Sequence, residues 1–240
     1  MLGLGNTVLS DYKTVFLDDY SLQLDGTDQY VNCDVIADRI LSSVGTVALW
    51  IKVETTSSTG AIFRAQIDAN NYITLYYHAG SNTLRATYKG STEAVTATST
   101  TAVEGINTWF HVAMTWSTES NKLSIFLNGG FVEARPNSGP LPEITDETFS
   151  VCDIGQTTQD TSYFKGYVND VVVFNATLTT ADILSIYNTG APKDEFFIGA
   201  SALIAYFKFE TGSGTTAVDS SRHQTHGSIE NSPTWSIDTP

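Results

Sequence analysis

WFHVAMTWSTESNKLSIFLNGGFV, residues 109–132, is the stretch that decides the fold. Every second position of its first half is apolar: Phe110, Val112, Met114 and Trp116. Alternation of this period is typical of a strand with one buried face. The polar turn STESN follows, and KLSIFL then alternates in the same way. The stretch therefore predicts two antiparallel core strands joined by a short turn.

The same alternation continues on both sides of this stretch. Short segments with one apolar face are separated by turn signals such as LDGTD, DANN and AGSN. About a dozen such strands predict an all-β antiparallel sandwich rather than a parallel α/β sheet. The further strand candidates are 21–24, 29–33, 46–53, 61–67, 72–78, 84–89, 149–154 and 166–174.

One short helix interrupts the strands, at about residues 179–188, in the segment LTTADILSIYNTG. Thr179 is placed as the N-cap and Asp182 stands three residues on, as in a capping box. Leu178 precedes the cap, where an apolar residue packs against the first helical turn. Gly190 is placed for the left-handed residue that ends a helix. At two to three turns this helix needs a sheet to pack against.

Charge excludes two classes of partner. The 240 residues carry a net charge of −14 with only 12 Lys and Arg. Surfaces that track phosphates are basic, so we expect no nucleic-acid partner. Docking on anionic lipid is excluded for the same reason. Hard-oxygen ligands for calcium are compatible with this composition, although acidity can also serve solubility alone.

The chain length and the N-terminal sequence point to a soluble domain. At this length the chain can bury a core without disulfides, and no apolar stretch is long enough to insert into a membrane. The N-terminus has no basic segment before an apolar run, so we expect no signal peptide. Cys33 and Cys152 both lie in apolar strand contexts; buried thiols are expected, and a bridge between them is left open.

Three segments together resemble the laminin-G-like jelly rolls of the concanavalin A-like lectin/glucanase superfamily. They are SLQLDGTDQYVNC (21–33), the stretch 109–132, and DIGQTTQDTSYFKGYVNDVVVFNATLTTADILSIYN (153–188). Their order and spacing run through most of the chain. The resemblance implies a two-sheet jelly-roll sandwich. The superfamily contains lectins, adhesins, hydrolases and structural modules, so the fold by itself does not give the function.

The C-terminal segment implies a permuted version of this fold. In many laminin-G-like sequences a segment like AYFKFETGSGTTAVDSSRHQTHGSI begins the domain, whereas here it comes last; pentraxins share the order seen here. We therefore expect 203–210 to close a sheet, antiparallel to strands of the first half, with Phe207 and Phe209 buried. Trp235 should lie beside 21–24. The predicted domains are an N-terminal arm (1–19) and one sandwich (20–240), because a tail of about 40 residues cannot bury its own core.

Two loops resemble the calcium-binding loops of pentraxins. The resemblance implies Asn70 and Asn71 as ligands in IDANN, and Gln159 in GQTTQD. A Thr stands where a Glu ligand is expected, and Asp68 and Asp160 lie close enough to compensate. Calcium is thus the one cofactor suggested, at a weak site, since it takes 6–8 oxygens. The competing interpretation is an Asn-rich hairpin turn and a polar loop.

Asp170 is a carboxylate on an apolar strand. In YVNDVVVF it falls in phase with Val168, Val172 and Phe174, which places it on the buried face. A buried carboxylate needs hydrogen-bond donors or a cation. Backbone N–H groups of a neighbouring loop and a metal ion both remain open.

No strand carries the pattern of a glycosidase. Such enzymes need two carboxylates across one cleft, and no strand offers E-x-D-x-E or a similar series. His111 in WFHVAM is expected to be a packed, hydrogen-bonded histidine. We therefore predict that the chain is not an enzyme. Sugar rings could instead stack on tyrosines and a tryptophan that lie outside the strongest core phases. These candidate ligand-binding residues are Tyr76, Tyr88, Tyr163 and Trp235.

The leading functional hypothesis is a non-catalytic recognition or structural module on a surface. Laminin-G-like chains with a short arm and no signal peptide resemble components of phage particles, such as decoration, fibre or tail-adhesion proteins. The expected location is then the virion surface, with the arm (1–19) attached to other virion proteins. The alternatives are a calcium-assisted lectin with glycan ligands and a glycoside hydrolase. Assembly as a homo-oligomer is left open.

Overall fold

The computed structural model describes residues 18–91, 93–103, 107–134, 139–157, 162–188 and 201–240. These residues form 16 strands and one α-helix, α1 (Thr180–Tyr187), with a short 3-10 helix at Asp34–Arg39. The strands are β1 Ser21–Asp25, β2 Tyr30–Asn32, β3 Val44–Val53, β4 Gly60–Asp68, β5 Asn71–His78, β6 Thr83–Lys89, β7 Ala94–Ala102, β8 Trp109–Ser117, β9 Lys122–Leu127, β10 Gly130–Ala134, β11 Val151–Ile154, β12 Lys165–Phe174, β13 Leu203–Phe207, β14 Thr216–Ala217, β15 Gly227–Glu230 and β16 Thr234–Ser236.

The strands form two sheets of eight, stacked as an antiparallel jelly-roll sandwich. Sheet A has the order β10-β9-β8-β3-β12-β1-β16, with β13 also paired to β12. Sheet B has the order β14-β15-β2-β11-β4-β5-β6-β7. The opening stretch supplies β8, β9 and β10 at one edge of sheet A, so the predicted fold class is confirmed.

One core lies between the sheets. Sheet A contributes the alternating residues of β8, including Val112, Met114 and Trp116, all fully buried. Sheet B contributes Ile73 and Leu75 from β5 in the same way. Because strand side chains alternate, the residues between these point away from the core, and they form the outer face of each sheet.

A bulge in β12 changes the phase of that strand. Asp170 has a left-handed φ of 45°, and the pairing of β12 with β3 shifts between Asn169 and Val172. As a result Val168 lies in the core between the sheets, whereas Val172 and Phe174 lie in a second apolar cluster on the outer side of sheet A. The prediction that these three share one face is therefore wrong, because an extra residue in the strand inverts the alternation.

The helix α1 covers the outer side of sheet A. Its predicted capping box is present: the Asp182 N–H donates to Thr179 Oγ1 at 3.2 Å, and the Thr179 N–H donates to Asp182 Oδ2 at 2.9 Å. Leu178 and Ile183 are buried in the second cluster. The helix ends at Tyr187 and not at the predicted residue 188. The reason is that Asn188 already adopts the left-handed conformation, with φ of 47°, that was predicted for Gly190. Gly190 lies outside the described residues.

The C-terminal segment closes sheet A, as the permuted order predicts, and it also adds two strands to sheet B. β16 pairs with β1 so that Trp235 stands opposite Leu22, and Phe207 and Phe209 are buried. The partner predicted for β13 is wrong, because β13 pairs with β12, which belongs to the second half of the chain. β1 and β13 pair with successive parts of β12, on the side of β12 that faces away from β3. Farther on, β15 pairs with β2 in sheet B. The proposed boundary between arm and sandwich stays a prediction, since residues 1–17 lie outside the described part.

The two cysteines are neighbours but do not form a disulfide. Both thiols are free and buried, and the Cys33 N–H donates to the Cys152 carbonyl at 2.7 Å across β2 and β11. Burial raises the pKa of the Cys152 thiol, and the adjacent Cys33 acts in the same direction. The thiols therefore pack as small apolar groups.

Candidate functional site

The outer face of sheet B carries a shallow depression, which we call the tyrosine depression. It lies over the outward-facing residues of β4, β5 and β6. These residues alternate with the core residues, which on β5 are Ile73, Leu75 and Tyr77. It occupies about 520 Å³, including the open space above it. Its lining includes Ala61, Arg64, Tyr72, Thr74, Tyr76 and Thr157.

Arg64 forms the floor beside Tyr72. Its side chain is 3% exposed, and its guanidinium carbon lies 3.8 Å from the centroid of the Tyr72 ring. The Arg64 Nε–H donates to Gln66 Oε1 at 2.6 Å. A guanidinium at this distance makes a cation–π contact with the ring and restrains its position.

The strand register places basic side chains next to the two tyrosines. Arg85 stands opposite Tyr76 across β5 and β6, and Lys89 stands opposite Tyr72. The Lys89 ammonium lies 5.6 Å from the centroid of the Tyr72 ring. The Arg85 Nε is buried and has no hydrogen-bond partner among the described residues.

The charge of this face is opposite to that of the whole chain. Between residues 59 and 91 the only acidic residue is Asp68, which lies at the tip of the β4–β5 hairpin. The same segment carries Arg64, Arg85 and Lys89 on its outward positions. The outer face of β4–β6 is therefore basic in a protein with a net charge of −14, and it attracts anions.

A buried carboxyl group lies beside the depression on β11. Asp153 stands opposite Arg64 in the register, is 1% exposed, and has no hydrogen-bond partner for either carboxyl oxygen among the described residues. Burial raises the pKa of Asp153 to about 7. The Asp34 carboxylate also raises this pKa, whereas Gln156 and Arg64 lower it. At neutral pH this group is therefore partly protonated and can donate as well as accept.

The four aromatic residues predicted to bind ligand lie in different places. Tyr76 lines the depression. Tyr88 is 1% exposed, faces the core and donates its hydroxyl to the Ser42 carbonyl, so its predicted exposure is wrong. Tyr163 is half-buried, and its backbone bridges to Ala61 at the edge of the depression. Trp235 lies in sheet A, where its ring packs against Phe209.

The candidate calcium ligands are not brought into one site by the described residues. At the β4–β5 hairpin the Asp68 carboxylate accepts from the Asn70 N–H at 2.7 Å and from the Asn71 side chain at 3.1 and 3.2 Å. These bonds, with the Asn70 N–H first, lower the pKa of Asp68. The group is the polar hairpin turn of the competing interpretation. Gln159 and Asp160 lie outside the described residues, so a calcium role for that loop stays a prediction.

Asp170 lies in the other sheet from these loops. Its Oδ1 accepts from the Tyr206 hydroxyl at 2.7 Å. Across the described ranges, no three His, Cys, Asp or Glu side chains form a group that could hold a metal ion.

The site shows no arrangement for hydrolysis of a sugar. The described lining of the depression contains no Asp or Glu. His111 is 1% exposed, and its ring packs on Trp50 and Tyr187 with centroids 5.4 and 5.9 Å away. Burial lowers the pKa of His111 to about 3, so it is neutral at physiological pH. The predicted packing is confirmed, but the predicted hydrogen bond is not, because neither ring nitrogen has a partner among the described residues.

Most residues of the depression were missed at the level of sequence. Arg64, Tyr72 and Thr74 carry no motif, and they are the polar positions of strands whose apolar positions were used to predict the core. Thr157 belongs to GQTTQD, which was considered only as a calcium-binding loop. The composition of the outward-facing strand positions could have indicated the site. In IFRAQI and NYITLYYH the outward positions combine tyrosine with arginine and threonine, and not with the Lys/Glu mixture of an ordinary solvated face.

A laminin G family model, described as the concanavalin A-like lectin/glucanases superfamily, matches residues 25–184. That range contains β2 to β12 and most of α1. No curated protein matches this chain in sequence.

Several solved structures share the fold. A candidate carbohydrate-binding protein from Bacteroides ovatus superposes with a TM-score of 0.64 at 16% identity over 91% of this chain, which spans 59% of that protein. The sialidase CBM40 of Ruminococcus gnavus bound to α2,3-sialyllactose gives 0.59 at 14% identity, over 71% of this chain and 96% of that one. A pentraxin from Limulus polyphemus gives 0.53 at 18% identity, over 71% and 82%.

No helix in the described part of the chain is both long and apolar enough to cross a membrane.

Proposed function

Because this chain belongs to the concanavalin A-like lectin/glucanase superfamily, we propose that it is a non-catalytic module that binds oligosaccharides in the tyrosine depression. The observation that carries the proposal is the pair Tyr72 and Tyr76, which lie on one outward face of β5 above a buried arginine. A sugar ring packs its C–H groups on such aromatic faces, while hydroxyls bond to polar neighbours. Binding sites of this kind are concave and largely preformed.

The spacing of the tyrosines defines the smallest good ligand. Residues four apart on a strand are separated by roughly 13 Å. That is larger than a single sugar ring, so one monosaccharide covers only one tyrosine. Between them Thr74 donates its hydroxyl to the Phe63 carbonyl at 2.9 Å, and it leaves the strip between the rings polar and small. The expected ligand is therefore at least a disaccharide that lies along β5.

The positive charge beside the tyrosines indicates which class of sugar should bind. Arg85 and Lys89 flank the two tyrosines, and both side chains are half-buried. A carboxylate or sulfate group on the sugar would be attracted by these two positive charges. An oligosaccharide with an acidic residue should therefore bind more tightly than its neutral analogue. The sialyllactose bound to the structurally similar R. gnavus module is a ligand of this chemical class.

The absence of catalysis is part of the proposal. Acid–base hydrolysis needs a pair of carboxyl groups on either side of the scissile bond. The described lining offers none, and the nearby Asp153 is nearly fully buried. Oligosaccharides should therefore be recovered intact after incubation with the protein.

The test is a glycan array probed with the full chain, with and without chelator, followed by calorimetric titration of the best ligands. Acidic oligosaccharides should give the strongest signal. Tyr76→Ala should weaken binding about tenfold, the value of one lost aromatic contact of about 1.4 kcal/mol. An array without bound glycans in either condition would refute the proposal. Loss of binding with chelator would favour the calcium-assisted lectin instead.

Tyr167→Ala is the matched control for Tyr76→Ala. Tyr167 is also half-buried, but it belongs to β12 of sheet A, where it packs on the Lys52 ammonium at 3.8 Å. It should leave glycan affinity unchanged. Equal losses from both variants would show that the effect comes from stability and not from the depression.

We also propose, as the biological setting, the virion surface predicted from the sequence. The last two residues of the predicted arm contact the sandwich: the Asn169 amide donates to Asp18 Oδ1 at 2.6 Å, and the Asp19 N–H donates to Glu210 Oε2 at 2.7 Å. Mass spectrometry of purified virions should detect the protein. Its recovery only as a free monomer would contradict this setting.

A further inference from the structure

A second polar cluster lies on sheet A, where the chain enters β1. Asp18 comes from the segment before β1, Asn169 from the middle of β12, and Glu210 from the segment after β13. The Asn169 amide donates to Asp18 Oδ1 at 2.6 Å, and the Asp19 N–H donates to Glu210 Oε2 at 2.7 Å. Segments about 150 and 190 residues apart in the chain therefore meet at one point.

Three oxygen atoms of this cluster are buried without a donor. They are Asp18 Oδ2, Asn169 Oδ1 and Glu210 Oε1, and none has a hydrogen-bond partner among the described residues. Asn169 is 0% exposed, and its amide reaches directly into the pair of carboxyl groups. A buried polar atom without a partner costs free energy, so something is expected to satisfy these oxygens.

A shared proton satisfies only part of the cluster. Burial raises the pKa of Asp18 to about 7, with the Glu210 carboxyl acting in the same direction against the Asn169 hydrogen bond. Burial also raises the pKa of Glu210. One proton between the two carboxyl groups relieves their repulsion. It still leaves the Asn169 carbonyl oxygen without a donor, because each proton forms one strong hydrogen bond.

A divalent cation satisfies all three oxygens at once. Carboxylate and amide oxygens are the hard ligands that calcium prefers, and it completes its 6–8 positions with second carboxylate oxygens and water. We propose that Asp18, Asn169 and Glu210 form a binding site for a divalent cation of the calcium type, which fastens the segment before β1 to the sandwich. This site differs from the pentraxin-like loops, since the Asp68 carboxylate there is already satisfied by its own hairpin.

The site is independent of the tyrosine depression. It lies on sheet A and the depression on sheet B, so the cation acts on stability and need not touch a glycan. Failure of glycan binding would leave this proposal unaffected, and the reverse also holds.

The direct test uses Tb³⁺ as a luminescent probe on the full chain at pH 8, with Ca²⁺ as competitor. We expect a site that binds one ion per chain and is emptied by Ca²⁺, and we expect Ca²⁺ to raise the melting temperature. Glu210→Gln should lower the affinity at least tenfold. Asp68→Asn, the matched control, should leave it unchanged. A wild-type signal that Glu210→Gln does not alter, or that Asp68→Asn abolishes, overturns the proposal.

Asn169→Asp separates the cation from a shared proton. A third carboxylate should tighten cation binding several-fold and enlarge the rise in melting temperature with Ca²⁺. If the cluster is held only by a proton, the added charge should instead destabilise the protein at pH 8 with and without Ca²⁺. This variant keeps the proposal testable even if Glu210→Gln does not fold, because the two outcomes have opposite signs.

Discussion

The outer faces of the two sheets differ although the same alternation builds them. On sheet A the outward residues Val172 and Phe174 are covered by α1, through Leu178 and Ile183, and form a second apolar cluster. On sheet B nothing in the described chain covers the tyrosines and threonines of β5 and β6. A covered face serves stability, whereas an uncovered face that keeps large aromatic rings is available to a ligand.

The difference can be recognised in the strands themselves. β12 contains the continuous apolar run VVVF, as expected of a strand buried on both faces. β5 alternates between inward apolar residues and the outward residues Tyr72, Thr74, Tyr76 and His78. The proposed glycan site lies on sheet B, and substitutions on the two sheets should therefore have different consequences.

The largest effect is expected in the core that both sheets share. Phe207 is fully buried there, on β13. Phe207→Ala should lower the free energy of unfolding by about 3–5 kcal/mol, because it leaves a cavity between the sheets. Urea denaturation measures the change. Phe131→Ala is the matched control, since Phe131 is 53% exposed, and similar losses in both variants would contradict the placement of β13.

The second-largest effect is expected in the apolar cluster between α1 and the outer side of sheet A. Ile183→Ala removes a fully buried side chain of α1 from the second cluster. The free energy of unfolding should fall by about 2–4 kcal/mol. The neighbouring Leu184 is 51% exposed, so Leu184→Ala should change the free energy by less than about 1 kcal/mol. If Ile183→Ala has no larger effect than its neighbour, α1 does not protect sheet A.

The carboxyl group of Asp153 should make the stability of sheet B depend on pH. Its pKa in the folded protein is about 7, above its ordinary value of 3.8. The folded state thus holds a proton that the unfolded state has lost, so this contribution is full below pH 4 and is lost as the pH rises towards 7. A difference of about three pKa units corresponds to at most about 4 kcal/mol, and relaxation should reduce it to about 1–3.

Asp153→Asn removes that contribution to the pH dependence. Thermal melts of both proteins between pH 4 and pH 7.5 should show the variant losing less stability than the wild type as the pH rises. Asp68→Asn is the control, because hydrogen bonds lower the pKa of Asp68 below its ordinary value of 3.8. Asp68 therefore stays ionised throughout this range, and its variant should follow the wild-type profile. Parallel profiles for the wild type and Asp153→Asn would show that Asp153 is ionised in the folded protein.

The smallest effect should be confined to ligand choice. Arg85→Gln removes one positive charge beside Tyr76. It should weaken binding of an acidic oligosaccharide several-fold and leave its neutral analogue unchanged. Lys122→Gln, an exposed charge on β9 of sheet A, is the control. Calorimetry with the two sugars separates the outcomes, and an equal loss for both sugars would argue against an acidic ligand.

The fold was largely predictable because its signals are local and repeated. Alternation located the main strands, and Thr179 with Asp182 located α1. The error at Asp170 has a specific cause. A bulge needs only one residue with a left-handed φ, and the sequence does not indicate which aspartate in a strand adopts that conformation. The short strands β14 and β15 were missed because two to four residues are too few for a period to appear.

The sites were less predictable, for two separate reasons. Tyr88 alternates with Leu84 and Ala86, so its burial could have been predicted from the core phase of β6. The cluster of Asp18, Asn169 and Glu210 could not, since it depends on contacts between segments that only the folded sandwich brings together. Spacing along the chain carries no information about such a meeting.

The pairing of β1 with β16 has a mechanical consequence. Ser21 stands opposite Ser236, so the two ends of the sandwich leave the same edge of sheet A side by side. A force that pulls residues 21 and 236 apart would open the ladder one rung at a time, like a zipper, and would not shear all its hydrogen bonds together. The hydrogen bond at this end of the ladder runs from the Ser21 hydroxyl to the Asp238 carbonyl at 2.6 Å, so it should be among the first to break.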